Sequence, residues 1–279
     1  MRRVAVLLFV LSVSVLVFAQ TPQAASAPSS WPTAQFASAK DPSVQKSFQI
    51  LNEMIRALGG DAWLNVQNMQ SEGRTYGFYH GQPNSTGLVF WRFWEWPDKE
   101  RIELTKQRDV VELFTGDKGY EITYKGTATQ EPKELEDYLR RRDHSLEWVV
   151  RHWLPAQGTM ILYSGTALVE RNLADQITVL SGNNDSVTIS IDGTTRLPVK
   201  ISYSWRDPND RQFDEESTVF SNYKLIQGVQ TPYSTVRYLD GEMTNQRFMT
   251  SVTFNAALAP TLFEPKGTIY TPGKQAPGK

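Results

Sequence analysis

The sequence predicts an α+β fold: one strongly curved antiparallel β-sheet, an incomplete barrel of about 10–11 strands, with helices packed on its concave face. Three observations carry this. The run Leu88-Val89-Phe90-Trp91-Arg92-Phe93-Trp94-Glu95-Trp96, closed by Pro97, is apolar on both faces when read as a strand. Apolar residues recur with a period of two from Val66 to Tyr124, and again from Val187 to Phe254. Helical periodicity occupies one block ahead of the strands and a second block that interrupts them.

In the first helix, Asp41-Pro42 reads as an N-cap followed by proline at the first helical position. Val44, Phe48, Leu51, Ile55 and Leu58 follow on one face, and Gly59-Gly60 ends the helix. Strands are expected at Asn68–Tyr79, Gly87–Trp96, Arg101–Lys106, Val110–Thr115 and Gly119–Tyr124. They are joined by turn chemistry such as His80-Gly81-Gln82-Pro83-Asn84 and Gly116-Asp117-Lys118-Gly119, as in an antiparallel meander.

The helical insert opens at Glu131-Pro132, carries Leu135, Tyr138, Leu139, Leu146, Val149, Val150 and Trp153 as an apolar stripe, and stops at Pro155. Arg140-Arg141-Arg142 within it reads as a solvated face rather than a docking patch. Val187, Ile189 and Ile191 then alternate with polar residues, as do Val199, Ile201, Tyr203 and Trp205. Further strands cover 216–225, 233–239 and 247–254. Two separate β domains would need an exposed linker, and none interrupts residues 67–254, so residues 43–267 form a single domain.

Outside that domain, Arg2 and Arg3 precede an apolar run from Val4 to Phe18. Residues 1–19 therefore read as a cleavable secretory signal, cut after Ala19. Residues 20–42 read as a flexible Ala/Ser/Pro/Gln tether, and residues 268–279 as a disordered tail. With no cysteine in the chain, an exported domain lacks disulfides and depends on its core. Its 8 Trp, 11 Tyr and 13 Phe are enough to build one. Removing the two signal arginines takes the formal charge from −1 to about −3, which gives no electrostatic case for nucleic-acid binding.

Three segments resemble the periplasmic lipoprotein-carrier (LolA/LolB-like) superfamily. They are Trp96-Pro97-Asp98-Lys99-Glu100-Arg101-Ile102-Glu103, Thr115-Gly116-Asp117-Lys118-Gly119-Tyr120-Glu121-Ile122-Thr123-Tyr124 and Phe263-Glu264-Pro265-Lys266-Gly267. The order of elements over residues 43–267 is similar too. Two departures bear on lipoprotein delivery: Trp96 stands where carriers often have arginine, and the strands from Tyr223 to Phe254 extend the usual plan.

The resemblance implies a periplasmic half-barrel whose hollow holds acyl chains. Its partners would be a lipid or an acylated protein, with membrane-bound donor or acceptor proteins. The candidate cavity residues are Phe90, Trp94, Trp96, Tyr120, Ile122, Tyr124, Leu146, Val149 and Trp153. Arg92 either pairs with Glu95 or Glu103, stacks on Trp94, or meets a lipid headgroup. The competing class is an envelope sensor or scaffold whose hollow is filled by its own side chains.

A secreted hydrolase is the third class. Asp98, Glu100 and Glu103 cluster after the aromatic strand, but beside Lys99 and Arg101 they read as alternating surface charge. His80, His144 and His152 share no metal-ligand spacing, and no nucleophile elbow, phosphate loop or dinucleotide fingerprint occurs. No catalytic residue, metal or cofactor is implied.

Overall fold

The computed structural model describes residue 36 and residues 38–84, 86–207 and 211–272. The expected signal sequence, most of the tether and the last residues of the tail lie outside the described residues.

Helix α1 (Pro42–Leu58) begins where the Asp41 carboxylate accepts the Ser43 N–H at 2.7 Å. It ends at Gly59, whose φ of 128° suits glycine. A short helix α2 (Asp61–Leu64) leads into the first meander. That meander comprises β1 (Asn68–Tyr79), β2 (Gln82–Pro83), β3 (Leu88–Glu95), β4 (Lys99–Leu104), β5 (Val110–Thr115), β6 (Lys118–Thr123) and β7 (Gly126–Thr129). The insert consists of α3 (Pro132–Asp143) and α4 (Leu146–Trp148), which runs into a π-turn at Val149–Trp153. The second meander follows as β8 (Met160–Val169), β9 (Asn172–Leu180), β10 (Ser186–Asp192), β11 (Pro198–Arg206), β12 (Phe213–Ile226), β13 (Val229–Leu239) and β14 (Glu242–Phe254). A 3₁₀ turn at Pro260–Phe263 and a short β15 (Ile269–Tyr270) complete the described chain.

All strands belong to one open, 15-stranded sheet, ordered β15-β7-β6-β5-β4-β3-β1-β14-β13-β12-β11-β10-β9-β8, with β2 beside β1. Every pairing is antiparallel except β15 with β7. The two meanders join where β14 returns to pair with β1. The strand count exceeds the expected 10–11 for identifiable reasons. The edge strand β8 has buried Ile161 alongside exposed Met160, Leu162 and Leu168, so it lacks clean alternation. Ile269 and Tyr270, expected in the disordered tail, extend the sheet instead. Phe36, expected in the flexible tether, is buried with its ring 6.1 Å from that of Phe48.

Helix α1 packs on β8, β9 and β13 and seals a core that includes Leu51, Met54, Ile177, Ile189 and Val149. The insert spans the hollow. At one limb the Tyr138 ring stacks on Phe114 with centroids 3.5 Å apart, and Arg142 donates to the Gly116 carbonyl at 2.6 Å. At the other, His144 stacks on Tyr203 and lies 2.9 Å from the Asp185 carboxylate, while Arg140 covers Trp205.

The doubly apolar strand β3 is covered on both sides. Trp91 and Phe93 face outward, where Leu258, Leu262 and Phe263 lie over them with Leu113. Phe90, Arg92 and Trp94 face inward, and the last two line a cavity. Phe263 is the only large side chain of the 3₁₀ turn that is fully enclosed. Phe263→Ala should cost about 3–5 kcal/mol of stability by urea unfolding. It should also raise binding of a hydrophobic dye to the folded state. A change under about 0.5 kcal/mol would mean that the outer face of β3 needs no cover.

Candidate functional site

The cavity has a volume of about 380 Å³, within the range of about 300–1,000 Å³ typical of small-molecule sites. Its floor is the concave face of β1, β3, β4, β5, β12, β13 and β14, and α2 and the insert roof it. The strand registers arrange the floor in tiers. Met69 pairs with both Trp94 and Phe254, and Ser71 with Arg92. Gly73 pairs with Met249, and Thr75 with Arg247. Next to Arg247 stands Thr235, with Arg237 two residues further along β13 and opposite Asn245. One end is therefore aromatic and aliphatic, with Trp63, Val66, Met69, Trp94, Val229 and Phe254, and the other is cationic. About 20 Å of strand separates them.

The inward alternation of β3 and β4 places Arg92 beside Glu100, and the two form a close ion pair. Burial alone would raise the Glu100 carboxyl, but Arg92 and the Tyr138 hydroxyl hold it below its ordinary range. Glu112, on the neighbouring strand, is pushed up by burial, with Arg247 pulling the other way. Arg247 sits over the Phe90 ring at 4.9 Å. Burial, reinforced by Arg92 and Arg237, lowers its guanidinium to about 10. Burial and Arg141 also lower Arg237.

At the apolar end, the insert meets the rim of β3 through a ladder of rings. Trp148 stacks on His152 at 4.0 Å, His152 lies 5.1 Å from Trp96, and Trp96 contacts Trp94 edge-on at 6.1 Å. Arg151 lies over Trp96 at 3.8 Å and Arg142 over Trp148 at 4.9 Å.

Of the residues singled out from the sequence, Trp94 and Arg92 line the cavity, and Trp96 stands at its rim within the ladder. Phe90 faces inward but lies sealed beneath Arg247. Leu146, Val149 and Trp153 belong to the core under the insert and not to the cavity wall, with Trp153 edge-on to His144. Tyr120 and Ile122 pack on the outer cluster around Phe263, on the far side of the sheet. Tyr124 is 89% exposed at the end of the β6–β7 hairpin. These three follow from choosing the wrong parity of β6.

The charges are corrected as well. Arg92 pairs with Glu100 rather than with Glu95 or Glu103. Glu100 and Glu103 are buried, not surface charge, and alternation sends them to opposite faces. Arg141 and Arg142 reach the cavity wall instead of facing solvent. Arg237 and Arg247 were legible only as polar residues inside strands. Arg237, between Val236 and Tyr238, carried the available signal, whereas Arg247, between Gln246 and Phe248, carried none. Among the described residues, no group of three or more His, Cys, Asp and Glu side chains could hold a metal ion.

No family model and no curated protein matches the chain. Solved structures do. A DUF1329 family protein from Desulfovibrio piger superposes with a TM-score of 0.56 at 13% identity, over 80% of this chain and 97% of that one. A putative outer membrane lipoprotein-sorting protein domain from Vibrio parahaemolyticus gives 0.51 at 8% identity, over 79% and 97%. The chain shares the fold of these two structures. A LolA superfamily protein from Nitrosomonas europaea aligns over 78% of this chain and 96% of its own, at 8% identity and a TM-score of 0.46. The half-barrel that the sequence resemblance implied is the observed architecture, a large open sheet braced by helices.

The ring ladder has a pH sign. Burial and then Arg151 lower His152 below its ordinary value, so the undocked state binds more protons in the window beneath it. Docking of the insert is therefore complete above the ordinary histidine range and weakens as pH falls through it. Acrylamide quenching of tryptophan should increase between about pH 7.5 and about pH 5.5. The increase should be smaller in His152→Phe, and an identical profile in that variant would remove His152 as the source of the pH response.

Proposed function

We propose that the protein is an exported carrier that holds acyl chains in the hollow of its half-barrel. The cavity is the observation that supports this reading. Its apolar end is built from Trp63, Trp94, Val229 and Phe254, it lies under a helical insert, and it is not filled by the protein's own side chains. Burial of acyl methylenes contributes about 0.8 kcal/mol each, so a chain of about sixteen carbons supplies on the order of 10 kcal/mol before ordering costs. No covalent step belongs to the reading. The insert opens, the chain enters, and burial holds it in transit.

The similar solved structures support the carrier class, one of them being a putative outer membrane lipoprotein-sorting domain. In this reading residues 1–19 direct export to the periplasm with cleavage after Ala19, and residues 20–42 tether the domain. The cargo is a lipid or an acylated protein passed between membrane-bound donor and acceptor proteins. The unfilled cavity favours carriage over a sensor or scaffold with a self-packed hollow.

Native purification of the mature chain, organic extraction and mass spectrometry should recover lipid in stoichiometric amount. Trp94→Asp and Met249→Asp, on the cavity floor, should each weaken binding of a fluorescent fatty acid at least about tenfold. Tyr120→Asp, on the outer face, should leave it unchanged. A ligand-free protein that also ignores added fatty acids and lipid probes would contradict carriage.

A further inference from the structure

The cavity wall holds more charge than an acyl chain needs. Six arginines line it, Arg92, Arg141, Arg142, Arg151, Arg237 and Arg247, against three glutamates, Glu100, Glu112 and Glu147. Four of the six cations have a local partner. Arg92 pairs with Glu100, Arg141 lies 3.9 Å from Glu216, and Arg142 meets Asp143 at 2.8 Å. Arg151 donates to the Val66 carbonyl at 2.8 Å. Arg237 and Arg247 form no ion pair among the described residues.

Arg247 also buries its Nε without a hydrogen-bond partner, and Ser71 in the same wall buries an unpartnered Oγ. A guanidinium taken out of water without a directly paired anion is unfavourable, so a fold that keeps two of them side by side must recover that elsewhere. Three carboxylates act on them without forming an ion pair, Glu100 and Glu112 on Arg247 and Glu216 and Glu112 on Arg237. Glu100 and Glu216 already meet Arg92 and Arg141, and burial pushes Glu112 toward its neutral form.

The position of the pair gives it meaning. Arg247 and Arg237 stand on adjacent strands at one end of the floor, flanked by Thr235 and Asn245, and the aromatic and aliphatic residues occupy the other end. A site with one greasy end and one cationic end matches an amphiphile lying along the strands. Guanidinium groups recognise carboxylate and phosphate oxygens through charge-assisted and often bidentate hydrogen bonds.

We propose that Arg237 and Arg247 receive the anionic headgroup, a carboxylate or a phosphate monoester, of a single-chain amphiphile whose tail lies toward Trp94 and Phe254. The proposal rests on the carriage reading and names its cargo class. It moves the headgroup contact from Arg92, whose charge Glu100 already meets, to the far end of the cavity.

The test is displacement of a neutral fluorescent alkyl probe by palmitate, hexadecyl phosphate, hexadecanol and inorganic phosphate. Palmitate and hexadecyl phosphate should bind at least about tenfold more tightly than hexadecanol. In R237Q/R247Q that ratio should fall toward one, while R237K/R247K should keep most of it. Circular dichroism on both variants shows that each is folded, and the lysine pair keeps the test valid if the glutamine pair is not. Equal binding of palmitate and hexadecanol by the wild-type protein would overturn the headgroup site and leave carriage standing. So would a folded glutamine variant that keeps the anion preference. Binding of inorganic phosphate with no response to any amphiphile would overturn carriage and the amphiphile assignment, leaving an anion site only.

Discussion

Everything else in this fold depends on the pairing of β1 with β14. It brings residues 69–77 against residues 245–254, across most of the length of the domain, and turns two meanders into one continuous sheet. The tiers of the cavity floor follow from that register, and so does the meeting of Met69 with Phe254 and of Thr75 with Arg247. The register shifts between Glu72 and Gly73, where β1 and β14 come very close. A Cβ on Gly73 would sit 1.9 Å from the Phe248 carbonyl oxygen, so the shift requires glycine there. Such a long-range pairing has a high loop-closure cost and is repaid only once both meanders are in place.

An open sheet this large does not hold a hollow by itself. The insert supplies the brace, with Tyr138 on Phe114 at one limb and His144 on Tyr203 at the other. Between these anchors the concave face is neither collapsed nor filled. The polar residues left there follow the same logic. Glu100 is answered by Arg92 and Tyr138, which fixes the middle of the floor, whereas Arg237 and Arg247 have no ion pair of their own among the described residues and feel Glu100, Glu112 and Glu216 only at longer range. Buried cations without a direct ion pair are the pattern expected where a fold is shaped for a ligand rather than for itself.

Much of this was legible in the sequence because the periodicities were strong. The spacing of Leu51, Ile55 and Leu58 with Gly59 after them specifies α1, and the alternation of Val187, Ile189 and Ile191 specifies β10. The aromatic run of β3 correctly announced a strand needing two covers, one of which proved to be Phe263 and its neighbours. Which face of a strand turns inward was harder to read, because a change of one residue exchanges the faces. Trp94 fell on the cavity side and Tyr120 and Ile122 on the outer side for that reason. The contacts of Arg141, Arg142, Arg237 and Arg247 depend on how the insert crosses the hollow and how β13 and β14 lie in register beneath it, and no local pattern encodes that. Strand β8 was obscured by its position at the sheet edge, where outward Leu162 and Leu168 break the alternation.

We place the ligand's acyl chain on the concave face between the insert and β3, a claim that fluorescence quenching by a brominated fatty acid checks at the residues concerned. Trp63 and Trp94 line the cavity, whereas Trp91 stands on the opposite face of the same strand under Arg108. Quenching should be saturable, with an amplitude that largely disappears when Trp63 and Trp94 are replaced together by phenylalanine and is unchanged in Trp91→Phe. Quenching that survives the double replacement, or that is lost with Trp91, would contradict the claim.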